Sequence, residues 1–177
     1  MIARLIAVAA LSAAATLAGC STPSTVKGMT AQKVTVAYRA SEPISISVIG
    51  GKATSSAGNS QIADADFRAA LAQSILDAGL FPSVAEGRNG PYHLEAFIGN
   101  LAQPMIGFSL TVEMEVSYKL VDLKDNSKVW HESFRTTHTA TTSDSMAFPT
   151  RLRLANEAAA RKNIELALAA MGRLDLR

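Results

Sequence analysis

From Gly107 to Leu123 the chain alternates with a period of two. Phe108, Leu110, Val112, Met114, Val116, Tyr118 and Leu120 fall on one side, and Ser109, Thr111, Glu113, Glu115, Ser117 and Lys119 fall on the other. Successive strand residues point to opposite faces, so this run predicts a long strand with one dry and one wet face. Lys124 to Ser127 is turn-forming, and Lys128 to Ala140 returns as its antiparallel partner. A three-residue turn pairs Tyr118 with Phe134 and Ser117 with Arg135. That register puts Trp130 and Phe134 on the dry side, and Glu132 with them. A slip of one residue would exchange the faces.

The rest of the chain is read around this hairpin. Ile44, Ile46 and Val48 alternate with Ser45 and Ser47, and Tyr92, Leu94, Ala96 and Ile98 repeat the pattern. Lys33 to Ala40 is short and β-branched and reads as one more strand, while Gly50 to Ser60 is a loop. Asp64 suits a helix N-cap, Phe67, Leu71 and Ile75 form a buried stripe, and Gly79 suits the C-terminal stop. Arg151 to Met171 predicts a second helix, buried along Ala160, Ile164, Ala167, Leu168 and Met171. Its Arg153–Glu157 and Glu157–Arg161 pairs predict an exposed side. The order β-β-α-β-β-β-α predicts an α+β fold: a mostly antiparallel sheet of about five strands, with two helices packed on one face.

The N-terminus is of another kind. Arg4 and the amino group precede an apolar run from Leu5 to Leu17, broken only by Ser12 and Thr16. That is the layout of a secretory signal peptide, and it is shorter than the roughly 20 apolar residues of a spanning helix. Leu17-Ala18-Gly19-Cys20 resembles the lipobox of bacterial lipoproteins. The resemblance implies cleavage between Gly19 and Cys20 and diacylglycerol and acyl (palmitate) modification at Cys20, so that membrane attachment runs through that residue. Ser21, where an aspartate would resemble an inner-membrane retention signal, points to the outer membrane of a Gram-negative cell, with the bulk of the protein in the periplasm. The expected organisation is a signal peptide over 1–19, a lipidated N-terminus and flexible tether over 20–32, and a single periplasmic α+β domain over 33–177. Ser21 to Thr30 would reach at most about 35 Å. Cys20 is the only cysteine; once modified, it leaves no thiol for a disulfide, nucleophile or metal.

Of the 177 residues, 158 remain without the first 19, enough for one domain with a real core. The chain has 17 Lys and Arg against 15 Asp and Glu, and losing Arg4 takes its net charge from +2 to +1. The charges are spread, which argues against nucleic acid as a partner.

The candidate chemistry is sparse. His131 and His138 are seven apart on one strand, hence on opposite faces, and His93 lies on another strand, so no metal site is expected. Glu113 and Glu115 share a strand face, but alternating charge is how a solvated face is written, and Lys119 and Arg135 can balance them. Thr141 to Ser145 is hydroxyl-rich without the G-x-S-x-G frame of a nucleophile elbow. Gly50 to Thr54 lacks the phosphate-loop spacing. No catalytic residue and no cofactor are assigned, and the protein is not expected to be an enzyme.

The hairpin brings together the loops Gln103–Gly107 and Ser143–Pro149. Both contain apolar residues: Met105, Ile106, Met146 and Phe148. Exposed, these four form a partner- or membrane-contact patch; covered by the following helix, they belong to the core.

Phe67 to Leu71, Ile75-Leu76, Gly79-Leu80, the strands and the C-terminal helix together resemble small Gram-negative envelope lipoproteins of the LPS-assembly and penicillin-binding-protein-activator types. The run Arg151 to Arg161 is similar to a family of uncharacterised bacterial lipoproteins. The absence of a catalytic constellation and the short tether point to a non-enzymatic interaction or assembly factor on the outer membrane, with an envelope protein partner. A lipid- or glycan-binding module and an enzyme of envelope metabolism are the alternatives.

Overall fold

The computed structural model describes residues 21–32, 34–55 and 59–176. Gly19, Cys20 and the signal segment lie outside them. Among the described residues, three helices, α1 (Val26–Met29), α2 (Asp64–Ala78) and α3 (Phe148–Met171), accompany five strands: β1 (Ile44–Ile49), β2 (Val84–Ala85), β3 (Tyr92–Ala102), β4 (Leu110–Asp122) and β5 (Ser127–Ala140). The strands form one sheet in the order β2-β1-β3-β4-β5. The fold is α+β with the two long helices packed on one face of the sheet, as the periodicities predict. Among the described residues, no helix is long and apolar enough to cross a membrane.

β3, β4 and β5 are antiparallel, and β1 runs parallel to both β2 and β3. The dry face of β4, Leu110 to Leu120, is fully buried. Tyr118 lies at its centre, with ring centroids 6.5 Å from Trp130 and 6.1 Å from Phe134. Its hydroxyl donates to Asn163 Oδ1 at 2.9 Å, and Asn163 Nδ2 donates to the Phe134 carbonyl at 2.8 Å. Burial pushes the Tyr118 phenol well above its ordinary pKa. A buried hydroxyl needs such a partner, and α3 supplies it from a position that looks polar in the sequence.

The hairpin register differs from the expected one by two residues. Tyr118 faces Glu132, Val116 faces Phe134 and Glu115 faces Arg135. The turn has four residues, with Asn126 left-handed at φ 59°, and a bulge at Val129 shifts the pairing between Leu120–Trp130 and Val121–Lys128. Two residues are one full strand period, so the faces are unchanged. Glu132 does share the dry side, but at its exposed margin, where Oε1 accepts from the Trp130 indole at 3.1 Å.

Four further expectations are corrected. Residues 34–40 form no strand: the Ala37 and Tyr38 amides donate to the Gly172 carbonyl, and the Ala40 amide donates to that of Leu80. The edge of β1 is taken instead by β2. The stretch expected as a tether is packed. Thr25 caps α1 by accepting from the Gly28 amide, Met29 is fully buried, and the Thr25 amide and hydroxyl donate to Glu157 Oε1 at 2.8 and 2.9 Å. Glu157 is therefore buried rather than on an exposed helix side. Arg153 pairs with it at 2.9 Å, while Arg161 donates to the Gly28 carbonyl. α1 lies so close that a Cβ at Gly28 would run into the Glu157 carboxylate. Last, Ala63 occupies the N-cap position of α2, and Asp64 accepts from the Gly51 amide at 2.6 Å. Gly79 does end α2, in the left-handed conformation that favours glycine.

Candidate functional site

Two exposed surfaces could carry function. The first lies where β3 leads into β4 and β5 leads into α3. Met105, Ile106, Phe108 and Met146 are 84%, 85%, 85% and 82% exposed. Phe148 is half-buried and packs against the core. Phe108, read as part of the dry face, is out in solvent, because β4 begins only at Leu110. Ile106, Phe108, Met146 and Phe148 line one depression of about 490 Å³ with Gly107, Thr142 and Arg151.

Arg151 builds this site. It is 4% exposed, and its guanidinium donates to the carbonyls of Ser145 (2.7 Å), Met146 (3.1 Å) and Gly107 (2.9 Å). One side chain thus staples both loops, and its buried Nε has no hydrogen-bond partner. Gln103 holds the loop base by donating to the Ser60 carbonyl at 2.7 Å and to Asn156 Oδ1 at 2.8 Å. The hydroxyl run at 141–145 is a closed turn. Asp144 accepts from the Thr141 amide at 2.7 Å and from its hydroxyl at 3.0 Å, and the amide hydrogen bond lowers the Asp144 pKa.

The second surface is the wet face of the sheet. Ser47, Ile49, Glu95, Phe97, Ser117, Lys119 and His131 line a shallow depression of about 250 Å³. Its ionisable groups are engaged with one another. Glu95 receives Arg88 at 2.8 Å and Lys119 at 3.1 Å, and the Arg88 hydrogen bond holds its carboxyl below the usual range. Arg135 pairs with Glu115 at 2.7 Å and Glu113 at 3.7 Å, so one arginine balances both strand-face glutamates. His93 is buried between Ser45 (Nδ1, 2.8 Å) and Ser47 (Nε2, 3.0 Å), and burial lowers its pKa. His131 Nε2 meets Ser117 Oγ at 3.0 Å. His131 faces the open side and His138 the other. Among the described residues, no three His, Cys, Asp or Glu groups stand together as metal ligands.

The periodic pattern missed Arg151, Asn156 and Glu157, all buried in α3. Asn156 lies four residues before Ala160 and Glu157 seven before Ile164, so helical spacing puts both on the buried stripe and only their polarity argued otherwise; no spacing reveals that loop carbonyls meet Arg151.

No family model matches the chain, and no curated protein matches it. Solved structures do share its fold. Protein XCC0632 from Xanthomonas campestris, described under family model DUF330, superposes with a TM-score of 0.58 at 13% identity, covering 86% of this chain and 92% of that one. A PelC dodecamer from Paraburkholderia phytofirmans gives 0.50 at 15% identity, covering 81% and 96%. The hypothetical protein CT253 from Chlamydia trachomatis gives 0.50 at 10% identity, covering 74% and 95%. At such identities the likeness is one of fold.

Proposed function

We propose that this protein is a lipoprotein anchored through Cys20 to the Gram-negative outer membrane, acting in the periplasm as a non-enzymatic interaction or assembly factor of the cell envelope. One observation carries the reading: the sheet face and the loop end turn apolar side chains outward, while the sheet-face glutamates are tied into ion pairs. Glu95, Glu113 and Glu115 each have a cationic partner, and His93 is closed in by two serines, whereas Ile49, Phe97 and the loop residues stand in solvent. Such a surface suits contact better than proton transfer, which calls for a group with a shifted pKa that is open to substrate. The address rests on the lipobox.

The test joins two measurements in intact cells. The mass of the N-terminal peptide should show an acylated cysteine at residue 20. A photo-crosslinker replacing Phe97 should yield an adduct with an envelope protein. A free amino terminus at Met1, or no protein adduct on the sheet face, sinks the respective half of the reading.

A glycan-binding role has one observation in its favour. Phe97 is 50% exposed beside Ser47, Ser117, Lys119 and His131, a ring with polar neighbours of the kind that stacks on sugars. Titration of the purified lipoprotein with envelope oligosaccharides, beside a Phe97→Ala variant, decides it; no shift of sheet-face resonances argues against it.

A further inference from the structure

Ser21 lines a small cavity of about 30 Å³ with Asn59, Ser60, Phe148, Pro149 and Leu152. Ser24 is buried and its amide donates to the Gln61 carbonyl at 3.2 Å; Thr25 and Met29 then fix the chain along α3. Ser21, the first described residue, is therefore held beside Phe148. Phe148 also lines the depression between the two apolar loops. One Cα step, about 3.8 Å, separates Ser21 from Cys20. An acyl anchor on Cys20 thus leaves the protein at the margin of the Met105–Ile106–Phe108–Met146 patch.

Charge agrees with geometry. Arg151 forms a wall of the depression, its guanidinium meets only carbonyls, and no described carboxylate forms an ion pair with it. A cation beneath an apolar rim matches a phospholipid surface, where phosphates lie above acyl chains.

We propose that the loops 103–109 and 141–147 dock into the bilayer leaflet that holds the anchor, with Met105, Ile106, Phe108 and Met146 entering its interface. The occupant of the patch is the phospholipid surface itself. The inference rests on the lipoprotein reading in one respect, the acylation of Cys20. Acyl chains alone hold a domain near a membrane without orienting it; a second, apolar contact sets its attitude. Leu110 pairs with Ala140 at the loop end and Asp122 with Ser127 at the other. The 123–126 turn therefore stands away from the membrane by about the length of β4, roughly 40 Å at ~3.3 Å per residue. The wet sheet face remains open to the periplasm.

The test uses the full lipoprotein, made in cells, purified in detergent and reconstituted into vesicles of phosphatidylethanolamine and phosphatidylglycerol. Met105→Cys, Met146→Cys and Lys124→Cys variants each carry one environment-sensitive fluorophore, because an acylated Cys20 has no free thiol. Brominated lipids should quench labels at 105 and 146 severalfold more than the label at 124. Equal quenching at the three positions overturns the proposal. So does a protein adduct from a photo-crosslinker at 105 in cells when the vesicle label is unquenched, which assigns the patch to a protein partner. N-terminal mass separates the two readings. An unmodified Cys20 refutes both the anchor and the docking built on it, whereas an acylated Cys20 with unquenched loops refutes the docking alone. Met105→Asp combined with Met146→Asp should keep the thermal melt of the parent and abolish the quenching of a label at Ile106→Cys.

Discussion

The wet face of the sheet and the loop end both turn side chains to solvent but resolve them in opposite ways. On the sheet, neighbouring strands set side chains about 5 Å apart, so the glutamates find partners: Glu95 has Arg88 and Lys119, and Glu113 and Glu115 share Arg135. In the loops, Arg151 uses its donors on backbone carbonyls to hold the loops in place, and the apolar side chains they raise have nothing above them. The sheet face thus offers contact through Ile49 and Phe97, set among balanced charges, whereas the loop end offers a continuous apolar surface held rigid from below. The two regions are thus best told apart by how each responds to loss of a single group.

The largest effect is expected at Arg151. Arg151→Met removes three hydrogen bonds and leaves loop carbonyls unpaired, at a cost of about 2–3 kcal/mol, measured by urea unfolding. Limited proteolysis should then cut first within 103–109; an unchanged midpoint and cleavage pattern would mean that the loops hold themselves. Next comes the division within the patch. Phe148→Ser should cost about 1–2 kcal/mol because half of the ring is buried, whereas Met105→Ser should stay within about 0.5 kcal/mol, as solvated positions do. Equal losses at the two positions would place Met105 in the core.

A smaller effect on the sheet follows from His93. Burial lowers its folded pKa, with Arg88 adding to the shift, so the unfolded chain binds the proton more readily than the folded one. The stability this neutral imidazole supports is complete above the unfolded value of about 6.5 and is lost as pH falls from there toward the folded value. Thermal melts from pH 7.5 to 5 should slope downward, and His93→Gln should flatten that part of the slope; a parallel curve would refute the assignment. The smallest change belongs to Arg135→Ala: a marginal shift of the melt that vanishes in high salt, as for a solvated pair.

How far the sequence was legible depended on which rule governed each segment. Wherever one face is dry, period two is unambiguous, and β1, β3 and β4 follow it. The same pattern misleads at 34–40, because Val34 and Val36 pack partly on the core while the amides of Ala37, Tyr38 and Ala40 donate to the Gly172 and Leu80 carbonyls rather than to a strand. Pairing register was legible only to within a period, since the bulge at Val129 leaves no mark in hydropathy. Of the patch, the adjacency of the two loops followed from the hairpin; the exposure of Phe108 and the inward turn of Phe148 did not, because each depends on where a strand or helix begins.

The sequence by itself determined the faces of the long strands, the stop at Gly79, the α+β class and a motif that resembles a lipobox at Cys20. All are local: a period, a cap or a short run of residues suffices. Only the tertiary structure decided that residues 24–31 are packed rather than free, that Glu157 and Arg151 are buried, and that Ser21 lies beside Phe148. Those outcomes join positions distant in sequence, 132 residues apart for Thr25 and Glu157 and 44 for Gly107 and Arg151. Such contacts depend on geometry that no local pattern encodes.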